Sequence, residues 1–136
     1  MKFLSNSELE ISKTVEIDYT DALKKIIEAL KVEGFGILTE IDVKETFKNK
    51  LNADFERYKI LGACNPPFAK QALDIDRAMG TLLPCNVYVR SLGSNKTIVS
   101  AVNPETMFSV IKTNRDKLDP IVKEIKERLT RAIQSI

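Results

Sequence analysis

Apolar and polar residues alternate near the amino terminus, and the spacing then becomes helical. In residues 8–19 the apolar residues at every second position, with an exception at Lys13, are Leu9, Ile11, Val15, Ile17 and Tyr19. This alternation predicts a strand with one buried face. The next apolar residues, Leu23, Ile26, Ile27 and Leu30, follow helical spacing. They predict a helix with Asp18 or Thr20 as its N-cap and Gly34 as its stop.

Two further strands, each followed by a helix, are predicted in residues 36–73. The first strand covers residues 36–41 and ends where Asp42 and Glu45 have the spacing of a capping box. Phe47 and Leu51 then lie on one face of a short helix. The second strand covers residues 57–63. Asn65 as N-cap and Pro66 at the first helical position predict the helix that follows, over residues 66–73.

The second half of the chain contains a predicted hairpin and a long amphipathic helix. Gly80 marks a break, and "LGSN" at 92–95 joins two strand-like segments. Asn103-Pro104 starts a short helix that contains Met107, Val110 and Ile111. The last helix has one apolar stripe: Leu118, Ile121, Val122, Ile125, Leu129, Ala132, Ile133 and Ile136. Because Pro120 belongs in the first turn, we expect Asp119 to cap this helix.

This order of elements predicts an α+β fold. We expect a two-layer single domain over residues 1–136, with a mostly antiparallel sheet of about five strands and helices packed on one face. No linker, internal repeat or low-complexity segment interrupts the chain. A chain of 136 residues is also long enough to bury a core of its own.

Charge and composition argue against a nucleic-acid or membrane partner. The 21 basic and 19 acidic residues nearly balance, and the basic residues of the last helix alternate with acidic ones. No apolar run approaches the roughly 18–20 residues that span a bilayer. The segment "MKFLSNSELE" lacks the apolar core of a signal peptide. We therefore expect a cytoplasmic protein whose two cysteines are reduced.

The absence of histidine removes several classes of chemistry from the chain. His-based catalytic triads, His-ligated metals and imidazole proton shuttles are all excluded. The two cysteines are about twenty residues apart and form no CxxC pair, so the usual zinc set is missing unless a dimer supplies four thiolates. Neither GxGxxG nor GxxxxGK[ST] occurs. We expect no metal and no cofactor.

The two cysteines carry the only candidate chemistry. Cys64 lies in "LGACNPPFAK" (61–70) and Cys85 in "LLPCNVYVR" (82–90). A cysteine beside a helix start can have a lowered pKa, and Lys70 would add a positive charge within about one turn. Cys64, Cys85 and Lys70 are therefore the catalytic candidates. The alternative is that both cysteines are small core residues and that "CNPP" only starts a helix.

Whether the two cysteine motifs meet depends on the strand order. If the strands that carry them are adjacent and antiparallel, the motifs come together. If these strands are parallel and joined by a helical crossover, the cysteines are over about 20 Å apart and no direct pairing is possible. Asn65 and Asn86, which each follow a cysteine, are candidate hydrogen-bonding residues for a ligand.

Four segments resemble the family known as domain of unknown function 302. These are "GFGILTEIDV" (34–43), "ILGACNPPFAKQAL" (60–73), "GTLLPCNVYV" (80–89) and the terminal "LTRAIQSI". The resemblance implies a compact α+β domain, often paired as a homodimer, and it implies no activity. The cysteines place the chain in the branch of this family that carries both motifs.

The sequence leaves three functional hypotheses. The first is a small binding or thiol/redox-accessory domain, a homodimer, with a site for a small-molecule or thiol ligand around "GACNPPFA" and "LPCN". The second is a structural or protein-interaction module with both cysteines in the core. The third is an enzyme that uses Cys64 as nucleophile, with Lys70 or a carboxylate as the base.

Overall fold

Five strands and six α-helices form an α+β fold, as the sequence predicted, in a computed structural model that describes residues 6–136. The strands are β1 (Glu10–Val15), β2 (Gly36–Asp42), β3 (Tyr58–Cys64), β4 (Cys85–Gly93) and β5 (Lys96–Val102). The helices are α1 (Asn6–Leu9), α2 (Tyr19–Val32), α3 (Val43–Leu51), α4 (Pro66–Ile75), α5 (Pro104–Met107) and α6 (Arg115–Gln134). Short 3₁₀ helices cover Arg77–Leu82 and Phe108–Val110.

The strands form one open antiparallel sheet in the order β1-β5-β4-β3-β2. Its inner face carries fully buried residues from the three central strands, namely Leu61, Val87, Val89, Val99 and Ala101. The apolar stripes of α2 and α6 pack on this face and complete the main core. The alternation of side chains along each strand therefore separates a helix-covered inner face from an outer face.

A second, smaller core lies beside the main one. It is formed by Ala72 of α4, Met79 and Phe108 of the two 3₁₀ helices, and Leu118 and Val122 of α6. Leu118 and Val122 of α6 thus belong to this second core, whereas Ile121 and the apolar residues from Ile125 onward belong to the main core. This small core holds the connections between β3, β4 and α6 against one another.

Side-chain caps explain where three of the helices begin. Asp18 accepts a hydrogen bond from the Thr20 backbone N–H, and Asp42 accepts one from Glu45 N–H at 2.9 Å. Asn103 likewise accepts from Glu105 N–H at 3.1 Å. Each cap satisfies one of the free N–H groups at a helix start. The predicted caps at Asp18, Asp42 and Asn103 are confirmed.

The first strand is shorter than the alternation predicted. Leu9 ends α1, and Tyr19 is the first residue of α2 because Asp18 caps that helix. The apparent exception at Lys13 has a structural role, since its Nζ donates hydrogen bonds to Gln134 O, at 3.0 Å, and to Ile136 O. Lys13 thereby binds free carbonyls at the carboxy-terminal end of α6, where a positive charge is favourable.

Helix α6 begins at Arg115, about one turn earlier than predicted, so the expected cap at Asp119 is wrong. Asn114 precedes the helix, and Pro120 lies inside it. Leu118 must be helical to reach the second core, where it is fully buried. Asp119 is instead paired with Arg115 at 2.7 Å, and the Arg115 guanidinium also donates to Phe108 O at 2.7 Å.

The predicted break at Gly80 falls between α4 and β4, where the structure has the 3₁₀ helix Arg77–Leu82. This helix is capped by Asp76, which accepts from Ala78 N–H at 2.9 Å. The burial of Met79 in the second core holds the segment in place.

Within residues 6–136, no helix has the length and apolar content that a bilayer crossing requires. The prediction that the amino terminus lacks a signal peptide rests partly on residues 1–5. These residues lie outside the part of the chain that the structure describes.

The burial of α6 leads to a stability prediction. Ile125 is buried in the main core, so Ile125→Ala should lower the free energy of unfolding by roughly 2–5 kcal/mol. Lys123→Ala, at an exposed position of the same helix, should change it by less than about 0.5 kcal/mol. Urea unfolding followed by circular dichroism measures both. Equal destabilisation by the two substitutions would contradict the observed face of α6.

Candidate functional site

The structure brings the two cysteines to the same end of the sheet. Cys64 is the last residue of β3 and Cys85 the first of β4, and these strands are antiparallel neighbours. Ala63 lies directly opposite Cys85 in the register, and Cys64 is the next residue along β3. The adjacent, antiparallel alternative is therefore the observed one, and the parallel crossover is excluded.

The close approach of the strands here leaves no room for a side chain at Gly62. A Cβ atom at this position would lie 2.2 Å from Thr39 Oγ1 and 2.9 Å from Pro84 Cγ. Since real Cβ atoms do not approach other atoms so closely, Gly62 lets β2, β3 and the start of β4 pack together. The glycine in "LGACN" thus has a packing role beside the cysteine.

Cys64 and Cys85 line one small cavity, which we call the thiol cavity. Its volume is about 20 Å³, and its other lining residues are Phe35, Ala63, Asn65, Phe68, Ala69, Ala72, Leu83, Pro84, Phe108 and Ile125. A cavity of this size has room for about one water molecule. Apart from Asn65 and the two thiols, the lining side chains are apolar. The cavity is thus too small, as it stands, for an organic ligand.

Burial raises the pKa of both thiols. Cys85 is 3% exposed, and burial, with a further contribution from Cys64, raises the pKa of its thiol to about 12. Cys64 is partly exposed, and burial raises the pKa of its thiol above the ordinary value as well. The expectation that the helix start lowers the pKa of Cys64 is wrong. Both cysteines are neutral thiols at pH 7.

The start of α4 explains why the helix does not favour a thiolate. Pro66 and Pro67 occupy the first two helical positions, and proline has no backbone N–H. Asn65 is the N-cap by position but makes no capping hydrogen bond with its side chain. Its Nδ2 instead donates to Glu33 O at 3.3 Å. With few donors near Cys64, the loss of hydration decides the direction of the pKa shift.

The other two candidates lie outside the thiol cavity. Lys70 is exposed on α4 and forms an ion pair with Asp74 at 2.7 Å. Asn86 is exposed and follows the buried Cys85 in β4, so its side chain points to the opposite face of the sheet. Asn65 is buried and lines the cavity. The structure thus places Cys64, Cys85 and Asn65 together and separates Lys70 and Asn86 from them.

A cationic contact near the cavity was not predicted from the sequence. The Arg128 guanidinium lies over the Phe68 ring at 5.2 Å from its centroid and donates to Glu33 O at 3.1 Å. Arg128 also forms an ion pair with Glu124 at 2.9 Å. Phe68 and Arg128 are far apart in sequence, and no local pattern connects them.

A larger apolar groove lies on the outer face of the sheet, which we call the outer-face groove. It has a volume of about 440 Å³ and is lined by Ile41, Val43, Thr46, Phe47, Phe55, Tyr58 and Ile60. Phe55 packs edge-on against Phe47, with ring centroids 5.0 Å apart, and Tyr58 stacks on Tyr88 at 5.1 Å. Sequence analysis missed this groove, although Tyr58 and Ile60 alternate with buried residues of β3.

No conventional metal centre is formed by the residues that the structure describes. No three Cys, Asp or Glu side chains among them are grouped so that they could hold a metal ion. The two thiols of the cavity are the only cysteine ligands that the sequence provides.

The pKa directions give a testable expectation for Cys64. Because its pKa is raised, the thiolate fraction at pH 7.5 is lower than in an unstructured peptide, and alkylation continues to accelerate above pH 9. Iodoacetamide labelling of the native protein, read by mass spectrometry across pH, should give a midpoint above that of a cysteine peptide. A midpoint at or below the value for the peptide would contradict the dominance of burial.

Comparison with known proteins identifies the family. The family model described as Domain of unknown function DUF302 matches residues 11–136. The fold is similar to that in the crystal structure of the uncharacterized conserved protein DUF302 from Bacillus stearothermophilus, with a TM-score of 0.81 and 27% identity over 92% of this chain and 95% of that one. No curated protein matches the chain. The family match and the two cysteine motifs agree: this chain belongs to the DUF302 family.

Proposed function

We propose that this chain is a thiol-accessory domain in which Cys64 binds a small thiol as a reversible mixed disulfide. The observation that carries the proposal is that Cys64 and Cys85 line one cavity, with Cys64 partly exposed and Cys85 buried. The exposed thiol is accessible to a reagent, whereas the buried one is protected.

The chemical step is thiol–disulfide exchange. The Cys64 thiolate attacks one sulfur of a small disulfide, a new S–S bond forms, and the second half leaves as a thiolate that takes up the proton. No net oxidation of other groups is required, since the incoming disulfide is the oxidant. The raised pKa of Cys64 makes the reaction slow at neutral pH, which suits a regulated adduct better than rapid turnover.

The proposed reaction suits a reducing compartment. A reducing environment such as the cytoplasm keeps Cys64 and Cys85 as free thiols, as they are in the structure. Under these conditions the mixed disulfide would form only when the disulfide concentration rises.

The test uses 2-hydroxyethyl disulfide, a small uncharged reagent. Incubation of the native protein at pH 8.5 should add one mercaptoethanol to Cys64, and dithiothreitol should remove it. Intact-protein and peptide mass spectrometry give the stoichiometry and the position. Cys85→Ala should form the same adduct, whereas Cys64→Ser should form none.

The outcome that would overturn the proposal is protection of both thiols. If the native protein stays unmodified for hours while the urea-unfolded protein reacts at both cysteines, Cys64 is a core residue and has no thiol chemistry. Circular dichroism of each variant confirms that it is folded before the comparison is made.

The second candidate is a protein-interaction module that pairs with a second copy of itself. It is favoured by the outer-face groove, where Ile41 is 50% exposed and Phe55 is 36% exposed, beside the edge strand β2. The backbone of an edge strand has one unpaired side, and exposed apolar residues next to it are typical of an interface. A two-fold pair would cover both at once.

Light scattering at micromolar concentration tests this assembly. The protein should scatter as about twice the chain mass of 15.3 kDa, and Ile41→Glu should reduce it to the monomer mass. Val110→Glu, at an exposed apolar residue outside the groove, is the matched control and should leave the dimer intact. A wild-type monomer, or an equal effect of both substitutions, would overturn this candidate.

A further inference from the structure

We propose that Gly36 sets the size of the disulfide that can reach Cys64, and that the site takes small, unbranched disulfides that lie across β2. This inference rests on the proposed thiol–disulfide exchange and adds to it the class of the reagent. It concerns the outer face of the sheet and requires no contact between the two cysteines.

The strand register places Gly36 beside Cys64. The two residues lie directly opposite each other in the antiparallel pair of β2 and β3. Directly opposite residues project to the same face of a sheet, with Cβ positions about 4.5–5.5 Å apart. Cys64 follows Ala63, which lies in the main core opposite Cys85, so alternation along β3 turns the Cys64 side chain to the outer face. A side chain at position 36 would therefore border the Cys64 thiol.

The position beside Cys64 is open because residue 36 is a glycine. A Cβ atom at Gly36 would meet no heavy atom within 4 Å beyond its own chain neighbours, and the residue is exposed. Two nearby glycines are different. Gly34 has a φ of +88°, which favours glycine, and Gly62 has no room for a Cβ atom. Neither reason applies to Gly36, and the effect of its small size is free space next to the thiol.

On the β4 side, a proline ring borders the same part of the outer face. The register of β3 with β4, continued by one residue, brings Pro84 opposite Cys64. The ring also lies close to β3, since a Cβ atom at Gly62 would be 2.9 Å from Pro84 Cγ. When a thiolate attacks a disulfide, the departing half lies on the far side of the attacked sulfur and needs room there. That room is over Gly36, on the β2 side.

The strand spacing favours a small reagent over a peptide that pairs with the edge of β2. Neighbouring strands lie about 4.8 Å apart, so a cysteine opposite Gly36 in an added strand would have its Cα roughly 10 Å from that of Cys64. A disulfide requires a Cα–Cα distance of about 4.4–6.8 Å. A small disulfide that lies across β2 has no such limit. Because the gap is that of one missing side chain, it suits carbons that are unbranched beside the sulfur.

The test compares two uncharged reagents, dimethyl disulfide and the longer 2-hydroxyethyl disulfide, with each rate divided by that of a cysteine peptide. Gly36→Val fills the open space with two methyl groups, and β-branched residues suit a strand, so circular dichroism should show a retained fold. Its rate with 2-hydroxyethyl disulfide should fall about tenfold or more, because displacing a packed side chain costs about that factor. The rate with dimethyl disulfide should fall less, and Gly36→Ala should give intermediate rates.

Gly80→Val is the matched control. Gly80 is also exposed, and a Cβ atom there would meet only Leu73 Cδ2, at the ordinary contact distance of 4.0 Å. This variant should react with both reagents like the wild type. A further measurement needs no variant: relative to the cysteine peptide, wild-type Cys64 should react more slowly with diisopropyl disulfide, which is branched beside the sulfur, than with 2-hydroxyethyl disulfide.

The inference and the proposed function can fail separately. If Gly36→Val reacts with 2-hydroxyethyl disulfide as fast as the wild type, only the role of Gly36 is lost. An equal fall with both reagents also overturns that role, because a changed pKa of the thiol or a loosened fold affects every disulfide alike. Equal relative rates of the wild type with the branched and unbranched reagents overturn the proposed class. A wild-type protein that forms no adduct with any of the reagents overturns the proposed exchange and this inference with it.

Discussion

The antiparallel pairing of β3 with β4 is the constraint on which the remaining structure depends. Its register sets Leu61 opposite Val87 and Ala63 opposite Cys85, so these buried residues lie together on the inner face. A slip of one residue would turn these side chains to the outer face and leave α2 and α6 without a surface to cover. The same register brings Cys64 within one residue of Cys85. The core and the candidate site are therefore consequences of one set of strand contacts.

Burial and the helix start act on the Cys64 thiol in opposite directions, and burial is the stronger. A helix start favours a thiolate through its free N–H groups, but Pro66 and Pro67 remove two of them. Asn65, which could have supplied another polar group, is turned toward Glu33 O. The other residues that line the cavity with Cys64, Cys85 and Asn65 are apolar, and loss of hydration stabilises neutral thiols. The motif "CNPP" thus lines a small, mainly apolar cavity and does not lower the pKa of the Cys64 thiol.

The sequence was sufficient for the fold class, the family and most element boundaries, because these depend on local periodicity and capping. The apolar stripe of α6 and the caps at Asp18, Asp42 and Asn103 are examples. The start of α6 was missed because it is decided by the burial of Leu118 in a core built from distant segments. The proximity of the cysteines could not be predicted either, since it depends on strand order. The direction in which the pKa of the Cys64 thiol shifts depends on its burial by distant segments, and this burial cannot be predicted from local motifs.

The two candidate surfaces lie at opposite ends of the same strand. Tyr58, in the outer-face groove, begins β3, and Cys64, in the thiol cavity, ends it. Six residue steps at about 3.3 Å each separate Tyr58 from Cys64 by roughly 20 Å, and four steps separate Ile60 of the same groove from Cys64 by roughly 13 Å. Substitutions at sites this far apart, with no shared partner, have nearly additive effects on stability. An assembly surface at one end and a thiol site at the other therefore do not exclude each other. Because β3 is a central strand paired on both sides, it holds the two at a fixed separation.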